Sequence, residues 1–258
     1  MIDKELVRDN FSRAADSYDD YAVVQDYMGQ ELLSQIEVEN EINNILEVGA
    51  GTGLFTEKSI TSFSNSEHLL VDISPAMINQ CRQKFASQDN IDFLTADAEK
   101  LSLGSDFDLI LSNAAVQWFK NLEQGIKNFL DHLTAEGKMY FSTFGAENFK
   151  ELRYCFNQVL GSSFSQNFLS KNELTDLVGD YCSQVVVQEE EYIEKFSTVR
   201  DFLKATKKIG ANSARKDKPQ LTPRKLKQIE KIYVDKYSQA GQIVVTHHLL
   251  FVELKKEF

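Results

Sequence analysis

The sequence has little proline, cysteine and histidine, and it lacks any long apolar run. Among 258 residues it contains three Pro, three Cys and four His. The scarcity of proline argues against long disordered linkers, and no apolar run approaches the roughly 18 residues that a membrane helix requires. The first twenty residues are charged throughout and contain no apolar signal-peptide segment. These absences predict a cytoplasmic protein.

The cysteines and histidines form no recognisable disulfide or metal pattern. Cys81, Cys155 and Cys182 are odd in number, widely spaced and without nearby histidines. That arrangement favours reduced, packed thiols over disulfides or zinc ligands. There is no evident Ser/His/Asp or metal constellation either, so we predict no metal site, and we assign no chemistry to His132, His247 and His248.

Negative charge dominates the chain, but one segment has the opposite sign. The formal net charge of −11 at pH 7 disfavours nonspecific binding to nucleic acid or to an anionic membrane. Between Arg200 and Lys236, twelve Lys and Arg stand against four Asp and Glu, which gives this segment +8 and leaves −19 for the rest. A basic segment in an acidic protein calls for a function.

Apolar periodicity divides the chain into N-terminal helices followed by alternating strands and helices. Spacings of three and four predict one or two helices over 6–36. Short apolar runs predict strands at 45–48, 68–73, 91–94, 107–111 and 138–143. Between them lie helical patterns, the clearest at 74–85, starting with Ser74-Pro75, and at 122–133, with Gly137 expected to end the helix. Strands that alternate with helices predict a parallel sheet covered on both faces.

The last part of the chain has a different pattern. Two long Val/Ile/Phe-rich stretches, 184–196 and 242–254, predict an antiparallel pair at the edge of the sheet. The segment between them, 197–241, holds the basic residues and has helical spacing without a strand signal. We therefore expect this insertion and the N-terminal helices to cap the functional site.

A glycine-rich segment directly follows the first predicted strand. Glu47, Gly49, Gly51 and Gly53 form a GxGxG pattern with an acid two residues before the first glycine. Glycines permit tight turns and let a ligand lie against the main chain. A dinucleotide fingerprint requires glycine at position 54, which is Leu54, and the lysine of a phosphate-binding loop is missing. The loop suits the amino acid part of a nucleoside ligand, with a purely structural turn as the alternative.

Polar residues follow the next three predicted strands. Asp72 ends the second strand, 19 residues after Gly53, while Asp97 follows the third and Asn113 the fourth. Asp72 is suited to the two hydroxyls of a ribose and Asp97 to an adenine amino group. Each acid alone is equally explained as a helix cap or a solvated residue. Open α/β sheets bind ligands at the C-terminal ends of their strands, so the ordered set predicts a nucleoside site.

In these motifs, over about residues 42–145, the sequence resembles the class I methyltransferases. The resemblance implies a doubly wound, mostly parallel, seven-stranded Rossmann-like sheet and S-adenosyl-L-methionine as cofactor. The cofactor contacts that it implies are the methionine end for Glu47, Gly49, Gly51 and Gly53, the ribose for Asp72, the adenine side for Asp97 and Ala98, and closure over the cofactor for Asn113.

A closer resemblance is to the malonyl-acyl-carrier-protein O-methyltransferases of biotin synthesis. It rests on FSRAADSY at 11–18, AVQW at 115–118, FSTF at 141–144 and the segment 197–212. It implies methyl transfer to the free carboxylate of a malonyl thioester. It also implies a single methyltransferase domain made of a helical cap at 1–41, an α/β core at 42–196 and 242–258, and a basic helical insertion at 197–241.

Four residues are predicted to serve the acceptor. Tyr18 is expected to orient a carboxylate oxygen, and Arg200 to hold the malonyl carboxylate through paired hydrogen bonds. Gln117 and Trp118 are expected to wall the pocket. Packing remains an alternative for Tyr18 and Trp118, and a solvated position in the basic segment remains one for Arg200.

The basic insertion is predicted to dock the partner protein. Because acyl carrier proteins are small and acidic, Lys204, Lys207 and Lys208 are expected to orient one at the site entrance. We expect neither nucleic acid nor membrane as a partner, and the chain lacks the Asn/Asp-Pro-Pro-Tyr/Phe segment of nucleic-acid methyltransferases. Two alternatives stay open: a methyltransferase for a free small-molecule acid or quinone precursor, and a nucleoside-binding module without catalysis.

Overall fold

The computed structural model describes residues 2–37, 40–104, 106–161, 168–211 and 221–256. The strands are β1 Asn44–Val48, β2 Glu67–Asp72, β3 Ile91–Thr95, β4 Phe107–Asn113, β5 Leu133–Phe144, β6 Cys182–Phe196, β7 Ser238–Gln239 and β8 Gln242–Lys256. The α-helices are α1 Lys4–Ala14, α2 Tyr18–Tyr21, α3 Val23–Ser34, α4 Thr56–Ser62, α5 Pro75–Lys84, α6 Leu122–Asp131, α7 Lys150–Leu160, α8 Lys171–Gly179, α9 Val199–Lys208 and α10 Pro223–Tyr237. Short 3-10 helices span Ala15–Ser17, Ala98–Lys100 and Val116–Trp118.

The strands form one sheet in the order β3-β2-β1-β4-β5-β8-β6, with β7 paired to β8. Strands β1 to β5 are parallel, whereas β8 runs antiparallel to β5 and β6. The predicted doubly wound, mostly parallel sheet is confirmed. The two-residue β7 is an eighth strand in a segment where no strand was predicted. The strand order reverses between β1 and β4, and ligands bind at such a reversal.

Helices cover both faces of the sheet because neighbouring residues of a strand point to opposite sides. Leu46 packs in a cluster with Phe129 of α6, while the adjacent Ile45 packs in another cluster with Met28 of α3. The central strands are therefore buried on both faces, which explains their nearly continuous apolar composition. No helix of the described residues is long and apolar enough to cross a membrane.

The predicted helical insertion between the last two long strands contains α9 and α10. Together with α7 these helices form an apolar cluster against β8, in which Phe156, Phe202, Tyr233 and Ile243 are buried. The insertion therefore has a core of its own that borders the sheet. Residues 212–220 of the predicted basic segment lie outside the described residues.

One of two local helix predictions is confirmed and the other is wrong. Helix α5 begins as expected, because Ser74 Oγ accepts a hydrogen bond of 3.2 Å from Met77 N. Gly137 does not end a helix: α6 ends at Asp131 and Gly137 lies inside β5. A Cβ at Gly137 would lie 2.8 Å from the carbonyl oxygen of Phe107, so close contact with β4 requires glycine there.

Candidate functional site

The loop after β1 takes the left-handed backbone conformation at all three predicted glycines, with φ of 74°, 58° and 83° at Gly49, Gly51 and Gly53. A Cβ at Gly49 would lie 2.2 Å from Ala115 Cβ, and one at Gly53 would lie 2.5 Å from the Phe85 ring. At Gly51 no atom of the described chain would lie within 4 Å. Two glycines thus allow packing inside the protein, and Gly51 leaves main chain open to a ligand.

Asp72, at the end of β2, is fixed through both of its carboxylate oxygens. Gly51 N donates to Oδ2 at 3.0 Å and Ser74 N donates to Oδ1 at 2.7 Å. Burial raises the pKa of Asp72 to about 6, although these backbone donors oppose the shift. Since a carboxylate offers about four acceptor positions, Asp72 retains room for two hydroxyl donors.

Glu47 lies behind the glycine loop. Its side chain is 1% exposed, Oε1 accepts a hydrogen bond of 3.0 Å from Thr56 Oγ1, and Oε2 is buried without a partner in the described structure. Burial raises the pKa of Glu47 to about 8, with Thr56 opposing the shift and nearby Asp72 adding to it. The acid of the motif therefore supports the loop from within the fold.

A narrow cavity brings most of the predicted cofactor residues together. The predicted residues in its wall are Gly49, Gly51, Asp72, Asp97, Ala98, Asn113, Tyr18 and Trp118. Glu47 and Gly53 are not among its lining residues. Lys4, Val7 and Phe11 of α1 also line it. Sequence reasoning gave α1 a general capping role without identifying these contacts, apart from Phe11, which falls in the FSRAADSY segment.

Asn113 joins the end of β4 to two neighbouring elements. Its Nδ2 donates to the carbonyl of Gln25 in α3 at 2.8 Å, and its Oδ1 accepts from Ser142 Oγ of β5 at 2.6 Å. The next residue, Ala114, has φ of 50° and donates its N–H to Ser142 Oγ at 3.0 Å. Left-handed backbone at alanine is costly, and such strain concentrates at functional sites.

A second cavity, of about 830 Å³, adjoins the first. Five residues line both cavities, namely Phe11, Tyr18, Ala114, Trp118 and Phe119. Most of the lining is apolar or aromatic, and Gln117 lies in it, with its Nε2 donating to the Ala114 carbonyl at 2.6 Å. The ring of Phe11 packs edge-on against Trp118 at 5.6 Å. The two cavities are therefore adjacent and meet at these shared residues.

Tyr18 stands at the junction of the two cavities. Burial raises the pKa of Tyr18 above its usual value, with the charges of Asp72 and Asp19 adding to the shift, so the phenol stays protonated and able to donate. Asp19 accepts a hydrogen bond from Thr52 and forms an ion pair of 3.1 Å with Lys84. These contacts fasten α2 onto the glycine loop and hold Tyr18 in place.

The far wall of the larger cavity contains two polar residues that sequence reasoning missed. Asn148 Nδ2 and His247 Nδ1 are buried without hydrogen-bond partners in the described structure. His247 Nε2 lies 2.9 Å from Glu194 Oε2, and Asn148 Oδ1 accepts from His248 N at 3.3 Å. Nothing in the local sequence marks these residues, because the fold of the last strands brings them together.

The predicted basic residues of α9 have different positions relative to the site. Lys207 lines the larger cavity, and Lys204 and Lys208 are exposed on the same helix. Arg200 is exposed and lines neither cavity, so this position does not support its predicted contact with the malonyl carboxylate. Tyr18 thus lines the larger cavity, whereas Arg200 does not.

Comparison with known proteins shows the class to which this fold belongs, the methyltransferases. The family described as "Methyltransferase domain" matches residues 46–139. Malonyl-[acyl-carrier protein] O-methyltransferase 1 of Ilyobacter polytropus is 39% identical over 257 residues, which cover 99% of this chain and 96% of the relative. The malonyl-[acyl-carrier protein] O-methyltransferase of Bacillus cytotoxicus is 36% identical over 267 residues, covering 100% and 93%.

A solved structure supports the fold independently. The YcgJ protein from Bacillus subtilis aligns with a TM-score of 0.61 at 16% identity, covering 90% of this chain and 98% of that one. The chain belongs to the malonyl-[acyl-carrier protein] O-methyltransferase family. The predicted class, an S-adenosylmethionine-dependent methyltransferase, is confirmed.

Proposed function

We propose that this protein transfers the methyl group of S-adenosylmethionine to the free carboxylate of malonyl-acyl carrier protein in the cytoplasm, giving the methyl ester that enters biotin synthesis. The observation that carries the proposal is the junction of a nucleoside-type cavity with a much larger apolar one at Tyr18. The extent of sequence similarity to enzymes named for this reaction supports the acceptor.

The residues of the narrow cavity fit the cofactor. Gly51 offers open main chain to the methionine portion, Asp72 offers carboxylate oxygens to a ribose, and Asp97 offers an acceptor to an adenine amino group. When bound, S-adenosylmethionine supplies a methyl group on a positively charged sulfur. Because α1 and α2 also line this cavity, the N-terminal helices are expected to keep water from the bound donor.

The chemistry requires little from the protein beyond placement. A malonyl carboxylate, with a pKa of about 4, is already ionised at neutral pH, so no general base is needed. Methyl transfer to it would need no proton acceptor, and the residues of the two cavities would hold the carboxylate next to the methyl donor. Tyr18 donates a hydrogen bond that orients the carboxylate, while Gln117 and Trp118 wall its path. Positioning in a site of low water content provides most of the rate.

The larger cavity suits a substrate longer than malonate. A volume of about 830 Å³ exceeds the need of a three-carbon acid and matches pockets that hold extended ligands. An acyl carrier protein presents its acyl group on a long, flexible prosthetic arm. The arm would occupy the apolar part of the cavity while the malonyl end reaches Tyr18.

The proposal is tested by methyl transfer from labelled S-adenosylmethionine to malonyl-acyl carrier protein, with malonyl-coenzyme A and acetyl-acyl carrier protein as comparisons. We expect label on the malonyl carrier alone. Equal activity on a free acid or on malonyl-coenzyme A would favour a small-molecule methyltransferase, and cofactor binding without transfer to any acid would favour a non-catalytic module.

Replacing Tyr18 by phenylalanine should keep cofactor binding and lower kcat for malonyl-acyl carrier protein by roughly tenfold to hundredfold, since a hydrogen bond to a charged group is lost.

Docking of an acidic acyl carrier protein is assigned to the exposed lysines of α9. Lys204, Lys207 and Lys208 lie beside the larger cavity, and Lys207 lines it. Ser17 Oγ donates to the carbonyl of Lys208 at 2.8 Å, which ties α9 to the N-terminal helices around the site. A cationic surface at this entrance would orient an acidic carrier with its arm toward the cavity.

Reversal of these charges should weaken use of the carrier-bound substrate. We expect the triple variant Lys204→Glu, Lys207→Glu, Lys208→Glu to raise KM for malonyl-acyl carrier protein by roughly tenfold at low salt, with the effect shrinking as salt rises. The matched control reverses Arg224, Lys227 and Lys231 on α10, which are exposed and line neither cavity. Equal effects of the two triple variants, or no dependence on salt, would rule out a specific docking role for α9.

A further inference from the structure

Lys4, the first residue of α1, lies against the adenine side of the narrow cavity. Its Nζ is 3.0 Å from Asp97 Oδ1 and 2.5 Å from Glu99 Oε2, and it lies 4.7 Å from the centre of the Phe119 ring. The side chain is 14% exposed, and Lys4, Asp97 and Phe119 all line the cavity. One cation thus joins the N-terminal helix to the loop after β3.

Local helix preferences do not explain a lysine at this position. Asp3 caps α1 through its carboxylate, and the positive end of the helix dipole disfavours a cation in the first turn. The two acids that Lys4 contacts, Asp97 and Glu99, offset this effect. Glu99 is itself fixed by the backbone N–H groups of Lys120 and Asn121 at 3.0 and 2.8 Å, so Lys4 is held by an anchored acid.

We propose that Lys4 is a positioning residue that sets Asp97 to recognise the exocyclic amino group of adenine. The inference rests on the proposed function for the identity of the cofactor. Lys4 Nζ and Glu99 N donate to Asp97 Oδ1 at 3.0 and 3.4 Å. None of the hydrogen bonds among the described residues uses Oδ2, so this oxygen is left for a ligand. An amino group donates to that oxygen, whereas a carbonyl at the same position of the base would face it with a second acceptor.

The same helix is attached to the core at a second place. Ser12 Oγ lies 2.8 Å from Ser74 Oγ, and Ser74 N donates a hydrogen bond to Oδ1 of Asp72, the acid proposed for the ribose. Fastening of α1 and positioning of Asp97 are therefore separable. Loss of the Ser12 side chain removes a contact between α1 and Ser74 and leaves the hydrogen bonds of Asp97 in place. Loss of the Lys4 amino group removes both a contact of α1 with the core and a hydrogen bond to Asp97.

The test measures dissociation constants for S-adenosylhomocysteine and for S-inosylhomocysteine, in which a carbonyl replaces the amino group. Trp118, the only tryptophan of the chain, lines the cavity and reports binding by fluorescence. We expect the wild-type protein to favour the adenosyl ligand by about tenfold or more. Lys4→Met should lose most of that preference because it weakens binding of the adenosyl ligand, and Lys4→Arg should keep the preference. Ser12→Ala should weaken binding of both ligands by the same factor.

Equal weakening of both ligands in Lys4→Met would mean that Lys4 only fastens the helix, and it would overturn the inference. A wild-type protein that binds the two ligands equally would do the same while leaving the proposed function intact. Failure of the wild-type protein to bind either ligand would overturn the proposed function together with the inference. Methyl transfer to an acceptor does not enter these measurements.

Discussion

Replacing Gly51 by alanine should weaken binding of S-adenosylhomocysteine by roughly tenfold to a hundredfold while leaving the protein folded. The added Cβ meets no atom of the described chain within 4 Å, so it enters space that the proposed cofactor uses. The left-handed backbone at Gly51, with φ of 58°, adds a stability cost of about 1–2 kcal/mol for any residue with a Cβ. Binding is measured by the fluorescence of Trp118, and stability by urea unfolding.

Gly161 provides the matched control for this substitution. It has φ of 65°, its Cβ would also meet no atom of the described chain within 4 Å, and it lines neither cavity. Gly161→Ala should therefore lose the same stability without losing affinity. Gly49→Ala should fail differently, since its Cβ would lie 2.2 Å from Ala115 Cβ and should prevent correct folding of the loop. If Gly51→Ala and Gly161→Ala had equal affinities for the ligand, the loop would not be its cradle.

The part of the site that we propose for the cofactor could be predicted because its sequence signals are local. Each acid or amide follows a short apolar run, and parallel strands bring their C-terminal ends to one edge of the sheet. Asp72, Asp97 and Asn113 therefore lie in the wall of one cavity, as expected. The sequence assigned Glu47 to the methionine end of the cofactor. Its burial behind the loop was not predicted, because it depends on which side of β1 the side chain faces and on the contact with Thr56 of α4.

The acceptor side was harder to predict because its residues come from distant segments. Arg200 and Lys207 belong to the same basic helix, yet they are separated by roughly 10 Å along its axis, and only Lys207 lines the cavity. In the narrow cavity, Lys4 was missed for the same reason, because the acid that it contacts, Asp97, is 93 residues away. Asn148 and His247 reach the wall through a loop and an antiparallel strand. Charge and composition predicted a basic cap, but not which of its side chains reaches the site.

Replacing Glu47 by glutamine should stabilise the ligand-free protein increasingly as pH rises toward 8. A glutamate has its ordinary pKa of 4.5 in the unfolded chain, whereas burial raises the pKa of Glu47 to about 8 in the fold. Between these values the unfolded chain has released a proton that the folded protein retains. The free energy of unfolding of the wild-type protein therefore falls by about 1.4 kcal/mol per pH unit from this group, and the loss ends above the folded pKa.

Glutamine stays neutral and keeps a carbonyl oxygen for Thr56 Oγ1, so Glu47→Gln should not show this fall. Urea unfolding of both proteins at several pH values between 4.5 and 8.5 measures the difference, in which the common contribution of Asp72 largely cancels. Thr56→Ala should extend the window to higher pH, because the hydroxyl opposes the shift at Glu47. Parallel stability curves for the wild-type protein and Glu47→Gln would show that Glu47 is ionised inside the fold. The buried carboxyl of Glu47, with one unpaired oxygen, thus lowers the stability of the protein, and it lies behind the loop that the proposed cofactor uses. Local features that reduce stability are expected at functional sites.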